Sequence, residues 1–249
     1  MRLLMTEALE AIADRFHPRE RITGIQRLGS GNVNETFLVT HDGRRDGGAF
    51  VLQRLNRRVF ARPDLVMRNL VALGEHVQRR LETPPPELQG RRWEVTQVLP
   101  SRQEAKLWVE HDGEVWRSIT YIGAATTTDV IRDFAQAREV GYGLGMFHSL
   151  ISDLPADSLA DTLEDFHVTP SYLRRFDQVL ARSIPQNPSK ALTNALAFVN
   201  QRREGASVLE DAVARGELHH RPIHGDPKIN NVMMDEATGQ AVGLIDLDT

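Results

Sequence analysis

Near Gly123 the pattern of apolar and polar positions passes from mainly strand-like runs to mainly helical ones. Ahead of that point, Leu9, Ile12, Ala13 and Phe16 fall on one helical stripe that His17-Pro18 closes. From Ile22 to about Leu55 the period shortens to two. ITGIQRLG, ETFLVT and AFVLQRL predict three antiparallel strands, with Gly29-Ser30-Gly31-Asn32 looping after the first and HDGRRDGG turning after the second. Helical spacing returns over 63–81 through Val66, Leu70, Leu73, Val77 and Leu81, introduced by Pro63-Asp64. After Pro84-Pro85-Pro86, the runs WEVTQVL, KLWVE and VWRSITYI read as strands, with a hairpin at Asp112-Gly113.

Beyond Gly123 the pattern is helical. A long amphipathic stretch over 130–151 is weakened by Gly141, Gly143 and Gly145. Helices are predicted at 170–183 and 188–215, the latter ending at Gly216. The apolar runs VMM and AVGLID, split by DEATGQ, predict a closing hairpin. The expected fold is α+β: an antiparallel-sheet lobe with one inserted helix over residues 1–122, then a mainly helical lobe over 123–249.

Composition narrows the chemistry. At 249 residues, with 41% hydrophobic and 26% charged positions, the chain is ordinary globular material. Thirty basic against 34 acidic residues leave a net charge of -4, so neither nucleic acid nor an anionic membrane is an expected partner. Cysteine is absent, which removes disulfides, thiolate metal sites and a cysteine nucleophile. Glu7, Glu10 and Asp14 interrupt the start before a signal-peptide core can form, and no apolar run reaches about 18 residues. A cytoplasmic protein is the expectation. Oligomeric state leaves no signature.

The chemistry concentrates near the end. Residues 224–231 read His-Gly-Asp-Pro-Lys-Ile-Asn-Asn, and Asp246 and Asp248 follow in LIDLD. Phosphoryl transfer needs a carboxylate for the acceptor hydroxyl and oxygen ligands for Mg²⁺. Asp226 suits the first role; Asn231 can turn toward the metal that Asp246, at the tip of an apolar run, also meets. His-x-Asp-x4-Asn spacing would arise by chance only about 0.02 times in such a chain, so the signal is strong.

HGDPKINN…GLIDLDT resembles the catalytic loop and metal motif of the aminoglycoside phosphotransferase and choline kinase superfamily, relatives of the protein kinases. Within it, VLQRLNRRVF, VMRNL, DFH and IDLDT are most similar to N-acetylhexosamine 1-kinases. The resemblance covers nearly the whole chain. It implies a protein-kinase-like two-lobe fold, ATP and Mg²⁺ as cofactors, and a small-molecule hydroxyl as acceptor, foremost the anomeric hydroxyl of an N-acetylhexosamine, with aminoglycoside or choline-type acceptors as the alternative.

Residue roles follow from the resemblance. Asp226 orients the attacking hydroxyl and Lys228 offsets the charge of the transferred phosphate. Asn231 and Asp246 hold Mg²⁺, and Asp248 is either a second metal or substrate contact or a solvated aspartate. His224 braces the loop through backbone hydrogen bonds. Gly29, Ser30, Gly31 and Asn32 cover the phosphates, although Gly-Ser-Gly also suits a plain hairpin turn. Where the family carries a lysine on its third strand, this chain offers Gln53 or Arg54, and alternation favours Arg54. Asn69 either replaces the glutamate expected on the following helix or is a satisfied buried amide; Glu75 is the other candidate. Tyr121 and Ile122 form the hinge, and His167 and Arg174 match a segment of the sugar kinases as candidate substrate contacts, although His167 also suits a helix-capping or core histidine. Trp93, Trp108 and Trp116 read as core.

Two other classes stay open. His219, His220, His224, Asp226 and Asp246 could compose the metal site of a hydrolase. A non-catalytic nucleotide-binding pseudokinase is the other, though Asp226, Asn231 and Asp246 are all retained. Members of the resembled family extend roughly another hundred residues past the metal motif, so the resemblance implies an incomplete second lobe.

Overall fold

The computed structural model describes residues 2–16, 21–29, 33–42, 48–183 and 187–249. The chain forms two compact units, Met1–Thr162 with Arg221–Thr249, and Leu163–His220. Among the described residues, no helix is long and apolar enough to cross a membrane.

In the larger unit, α1 (Arg2–Ala13) precedes three antiparallel strands, β1 (Ile22–Arg27), β2 (Glu35–His41) and β3 (Gly48–Leu55). After α2 (Pro63–Glu82) come β4 (Val98–Leu99), β5 (Val109–His111) and β6 (Glu114–Thr120), giving the sheet order β1-β2-β3-β6-β4 with β5 also paired to β6. The stripe read from the sequence is the buried one. Leu9, Ile12, Ala13 and Phe16 pack with Phe37, Val39, Phe50, Leu52, Val109 and Trp116 in one apolar cluster. Burying side chains of this size contributes roughly 1.5–3 kcal/mol each.

WEVTQVL was expected as one strand, but only Val98 and Leu99 pair in a ladder. The segment divides its backbone between two sheets: the Glu94 N–H donates to Val242 O at 2.7 Å, while Thr120 N–H donates to Gln97 O at 2.9 Å. That second sheet comprises β7 (Ala125–Thr126), β8 (Val232–Asp235) and β9 (Ala241–Leu244).

α3 (Phe134–Leu150) starts at Asp133, whose side chain accepts from the Gln136 N–H, so the helix begins later than the apolar pattern suggests. It runs unbroken through its three glycines. At Gly143 a Cβ would lie 2.9 Å from Val232 Cγ1 and 3.1 Å from Ala241 Cβ, so glycine is the condition for α3 to lie on the β8–β9 hairpin.

The smaller unit holds α4 (Thr169–Ser183), α5 (Lys190–Arg202) and α6 (Val208–Ala214). The single helix expected at 188–215 is two, separated by a 3-10 turn at Arg203–Gly205. Arg203 there makes two 2.8 Å hydrogen bonds to Asp177 of α4. Gly216 ends the last helix at φ 73°.

Candidate active site

The polar motif folds as a loop that returns to the β8–β9 hairpin. Gly225 has φ 82°, and a Cβ there would sit 2.3 Å from Thr249 Oγ1, so both backbone and space require glycine. His224 is buried with its ring edge-on to Phe147. The Asp226 N–H donates to Nδ1 at 3.3 Å, which leaves Nε2–H to donate to Ile245 O at 3.0 Å. Burial pushes this imidazole below its usual range, outweighing the hydrogen bond to Ile245. His224 therefore braces two segments as a neutral ring.

Asn231 closes the loop: its Nδ2 donates to Asp226 O at 2.9 Å, and its carbonyl accepts from the Ile245 N–H at 2.9 Å. Since Nδ2 is a donor, Oδ1 is the atom of this amide able to ligate a metal. Asn230 instead bonds Asp129 through Nδ2 at 2.9 Å.

Asp246 follows β9 at φ 65°, a left-handed conformation that aspartate adopts at a cost of order 1–3 kcal/mol. Lys228 pairs with Asp226, and its Nζ lies 3.7 Å from Asp246 Oδ2. The three charges thus meet in one partly exposed cluster. Desolvation first, and then the charge of Asp248, push the Asp246 carboxyl upward against the pull of Lys228. The Lys228 ammonium is raised chiefly by its hydrogen bond to Asp226.

Asp248 is not solvated. Its side chain is 2% exposed, with Oδ1 2.7 Å from Arg117 Nη1. Oδ2 accepts from Arg117 Nη2 at 2.9 Å and from Asn34 Nδ2 at 2.8 Å. Arg117 also donates through Nε to Gln53 Oε1 at 2.8 Å, and Gln53 donates to Thr36 Oγ1 at 3.0 Å. Thr36, Gln53 and Arg117 are register partners across β2, β3 and β6, so they form one row on one face of the sheet.

That row corrects the preference for Arg54. The strand alternates as expected, but Arg54 shares its face with Leu52 and Phe50 on the α1 side, and it is paired with Glu35 at 3.0 Å and Glu114 at 3.6 Å. Gln53 occupies the face that reaches Asp248. Asn69 is the satisfied amide: its Nδ2 donates to Ala160 O at 2.7 Å and its Oδ1 accepts from Ala160 N at 2.9 Å.

Gly29 has φ 70° after β1, whereas Ser30, Gly31 and Asn32 lie outside the described residues. Ile122 buries its side chain with Ala125, Met233 and Val242, and Tyr121 precedes it at the end of β6. In the smaller unit, His167 has φ 64° and its ring lies tilted at 42° against that of Phe166, with 3.9 Å between centroids, and Arg174 donates to Ser171 at 2.7 Å. Trp93 and Trp116 are buried, the latter in the α1 cluster, and Trp108 is half-buried.

Sequence reading missed Arg117 and Asn34. Arg117 left a signal, a charged residue inside the otherwise apolar run VWRSITYI. Asn34 left none.

The oxygen donors of Asn231 and Asp246 suit a hard cation such as Mg²⁺. The hydrolase constellation does not fit, because both ring nitrogens of His224 are engaged with backbone. No group of three or more His, Asp or Glu placed to hold a metal occurs among the described residues.

The model of the phosphotransferase enzyme family matches residues 24–249. A spectinomycin phosphotransferase solved with ADP and spectinomycin superposes with a TM-score of 0.51 at 14% identity, over 99% of this chain and 68% of that one. At that identity the likeness concerns the fold, which is the α+β kinase-like one.

Proposed function

We propose, for a chain that belongs to the phosphotransferase enzyme family, that Asp226 orients the hydroxyl of a small polar acceptor toward the γ-phosphate of ATP. The family makes the chain an enzyme transferring phosphate to a hydroxyl. The observation that carries the residue assignment is the meeting of Asp226, Lys228 and Asp246, with Asn231 closing the same loop.

In the transfer, the acceptor oxygen attacks the γ-phosphorus, the bond from phosphorus to the β-bridging oxygen breaks, and ADP leaves. Asp226 takes the hydroxyl proton, a role that contributes typically 10²–10⁴-fold. Lys228, poised between two carboxylates, offsets the charge moving with the phosphoryl group. Asn231 and Asp246 would hold Mg²⁺, which supplies charge neutralisation at the phosphates. The glycine loop covers the phosphates, and the backbone of Tyr121 and Ile122 meets the adenine. This reading has the nucleotide served by both the sheet lobe and the segment that follows it.

For the acceptor, the sequence similarity of VLQRLNRRVF, VMRNL, DFH and IDLDT favours the anomeric hydroxyl of an N-acetylhexosamine. A second reading, an aminoglycoside-type acceptor, has the structural likeness to the spectinomycin enzyme behind it. ATP consumption measured across N-acetylhexosamines, hexoses, aminoglycosides and choline separates them. Asp226→Asn should abolish turnover while leaving ATP affinity within about threefold, since it removes the proton acceptor and spares the metal ligands. Undiminished turnover in that variant defeats the mechanism.

A further inference from the structure

Asp248 lies two residues beyond Asp246, within the motif that supplies metal ligands, yet its surroundings suit no metal. Its Oδ2 accepts two hydrogen bonds, from Arg117 Nη2 at 2.9 Å and Asn34 Nδ2 at 2.8 Å, and its Oδ1 lies 2.7 Å from Arg117 Nη1 in a buried ion pair. The cation facing this carboxylate is already the Arg117 guanidinium. A divalent ion at Asp248 would also stand against a guanidinium that is itself 3% exposed. Its backbone carbonyl is engaged too, accepting from Thr162 Oγ1 at 2.7 Å.

The partners of Asp248 point to a different use. Asn34 stands between the glycine loop and β2, and its Oδ1 accepts from the N–H of Asn56, the residue after β3. Arg117 belongs to β6 and is itself held by Gln53 of β3. One carboxylate therefore gathers the loop side of β2, the end of β3 and the middle of β6 onto the segment that bears Asp246. A left-handed aspartate persists only when its flanks fix it. On one flank, Ile245 N–H donates to Asn231 O at 2.9 Å; on the other stands Asp248.

We propose that Asn34, Asp248 and Arg117 form a clamp that sets the glycine-loop side of β2 and the Asp246 turn in one register, making all three positioning residues for the phosphates of ATP. The clamp rests on the phosphotransferase reading above. It places the cation of the sheet on β6, where β3 offers only Gln53 on that face. A buried ion pair is often replaceable by apolar residues without loss of stability, so a purely architectural pair and a clamp make different forecasts.

The test is titration calorimetry with Mg·ATP on the full chain, alongside thermal midpoints, for the parent, Asn34→Ala, Asp248→Asn and the double variant Arg117→Met/Asp248→Leu. Asn34→Ala removes two hydrogen bonds, one to the charged Asp248 carboxylate and one from the Asn56 N–H, and should raise the Kd for Mg·ATP about tenfold or more in a protein still folded at the assay temperature. The double variant should melt near the parent and still bind Mg·ATP about tenfold more weakly. Parent affinity in Asn34→Ala, or in the double variant, overturns the clamp. So does a pattern in which Asn34→Ala binds normally and Asp248→Asn alone loses the Mg²⁺ dependence of ATP binding, which would make Asp248 a metal ligand. A parent that binds no Mg·ATP overturns the phosphotransferase reading first and the clamp with it, so the two failures are distinguishable.

Discussion

Replacing His224 with alanine tests how the loop over residues 224–231 is held. The ring lies buried between Phe147 and the backbone, accepting from Asp226 N–H at 3.3 Å and donating to Ile245 O at 3.0 Å. Each hydrogen bond contributes about 1 kcal/mol net, and the backbone groups left without partners add desolvation costs of similar size. The aromatic edge contact with Phe147 is worth about 0.5–1.5 kcal/mol more. Together the loss comes to about 5 kcal/mol. In a chain of this size that is a drop in thermal midpoint of about 10 °C, measurable by circular dichroism. Turnover at a temperature where the variant is folded should also fall, since Asp226 loses its backbone anchor. The same ring fixes a pH signature. Burial lowers the folded-state pKa, whereas the unfolded imidazole titrates near about 6.5. Below that pH the unfolded chain takes up the proton first, so stability declines as pH falls toward the folded pKa, and it is fully present above the unfolded value. The alanine variant should lose this share of the slope. A midpoint within about 2 °C of the parent, with the acid slope unchanged, would refute the bracing role.

Other substitutions probe separate links. Lys228→Met should cut kcat by about 10²-fold, the cost of removing one preorganised electrostatic group, with the thermal midpoint nearly unmoved because its ion pairs are half exposed; steady-state kinetics at saturating ATP decide this. Arg54→Ala should leave the KM for ATP within about twofold, because its partners Glu35 and Glu114 lie on the α1 face and exposed pairs contribute about 0–1 kcal/mol; a larger rise would restore Arg54 to the phosphate site. Gly225→Ala meets both a left-handed backbone and Thr249, and should destabilise by more than about 1 kcal/mol in chemical denaturation; pairing it with Thr249→Ala tests how much of that comes from the threonine hydroxyl.

Much of this protein was legible in the sequence because the physics behind it is local. The stripe of Leu9, Ile12 and Phe16 records which helical face meets apolar material, and strand alternation records which residues share a face. The spacing from His224 to Asn231 fixes a loop short enough for the Asn231 amide to return to the Asp226 carbonyl. Gly225 and Gly216 announce turns that other residues enter at a cost.

Alternation says that Gln53 and Arg54 face opposite ways, but not which way the sheet presents to Asp248; the packing of α1 against Leu52 and Phe50 decides that. WEVTQVL has strand composition, yet its backbone bonds go to two different sheets, a matter of where the chain crosses. Asp248 looks exposed in a short motif until Arg117, 131 positions away in sequence, and Asn34, 214 away, close on it. Hydrophobic period and motif spacing are properties of neighbours along the chain, so the sequence determined the elements, the turns and the chemical inventory of the loop. Which charges meet in a place with little water is a property of neighbours in space, and only the tertiary structure decided it.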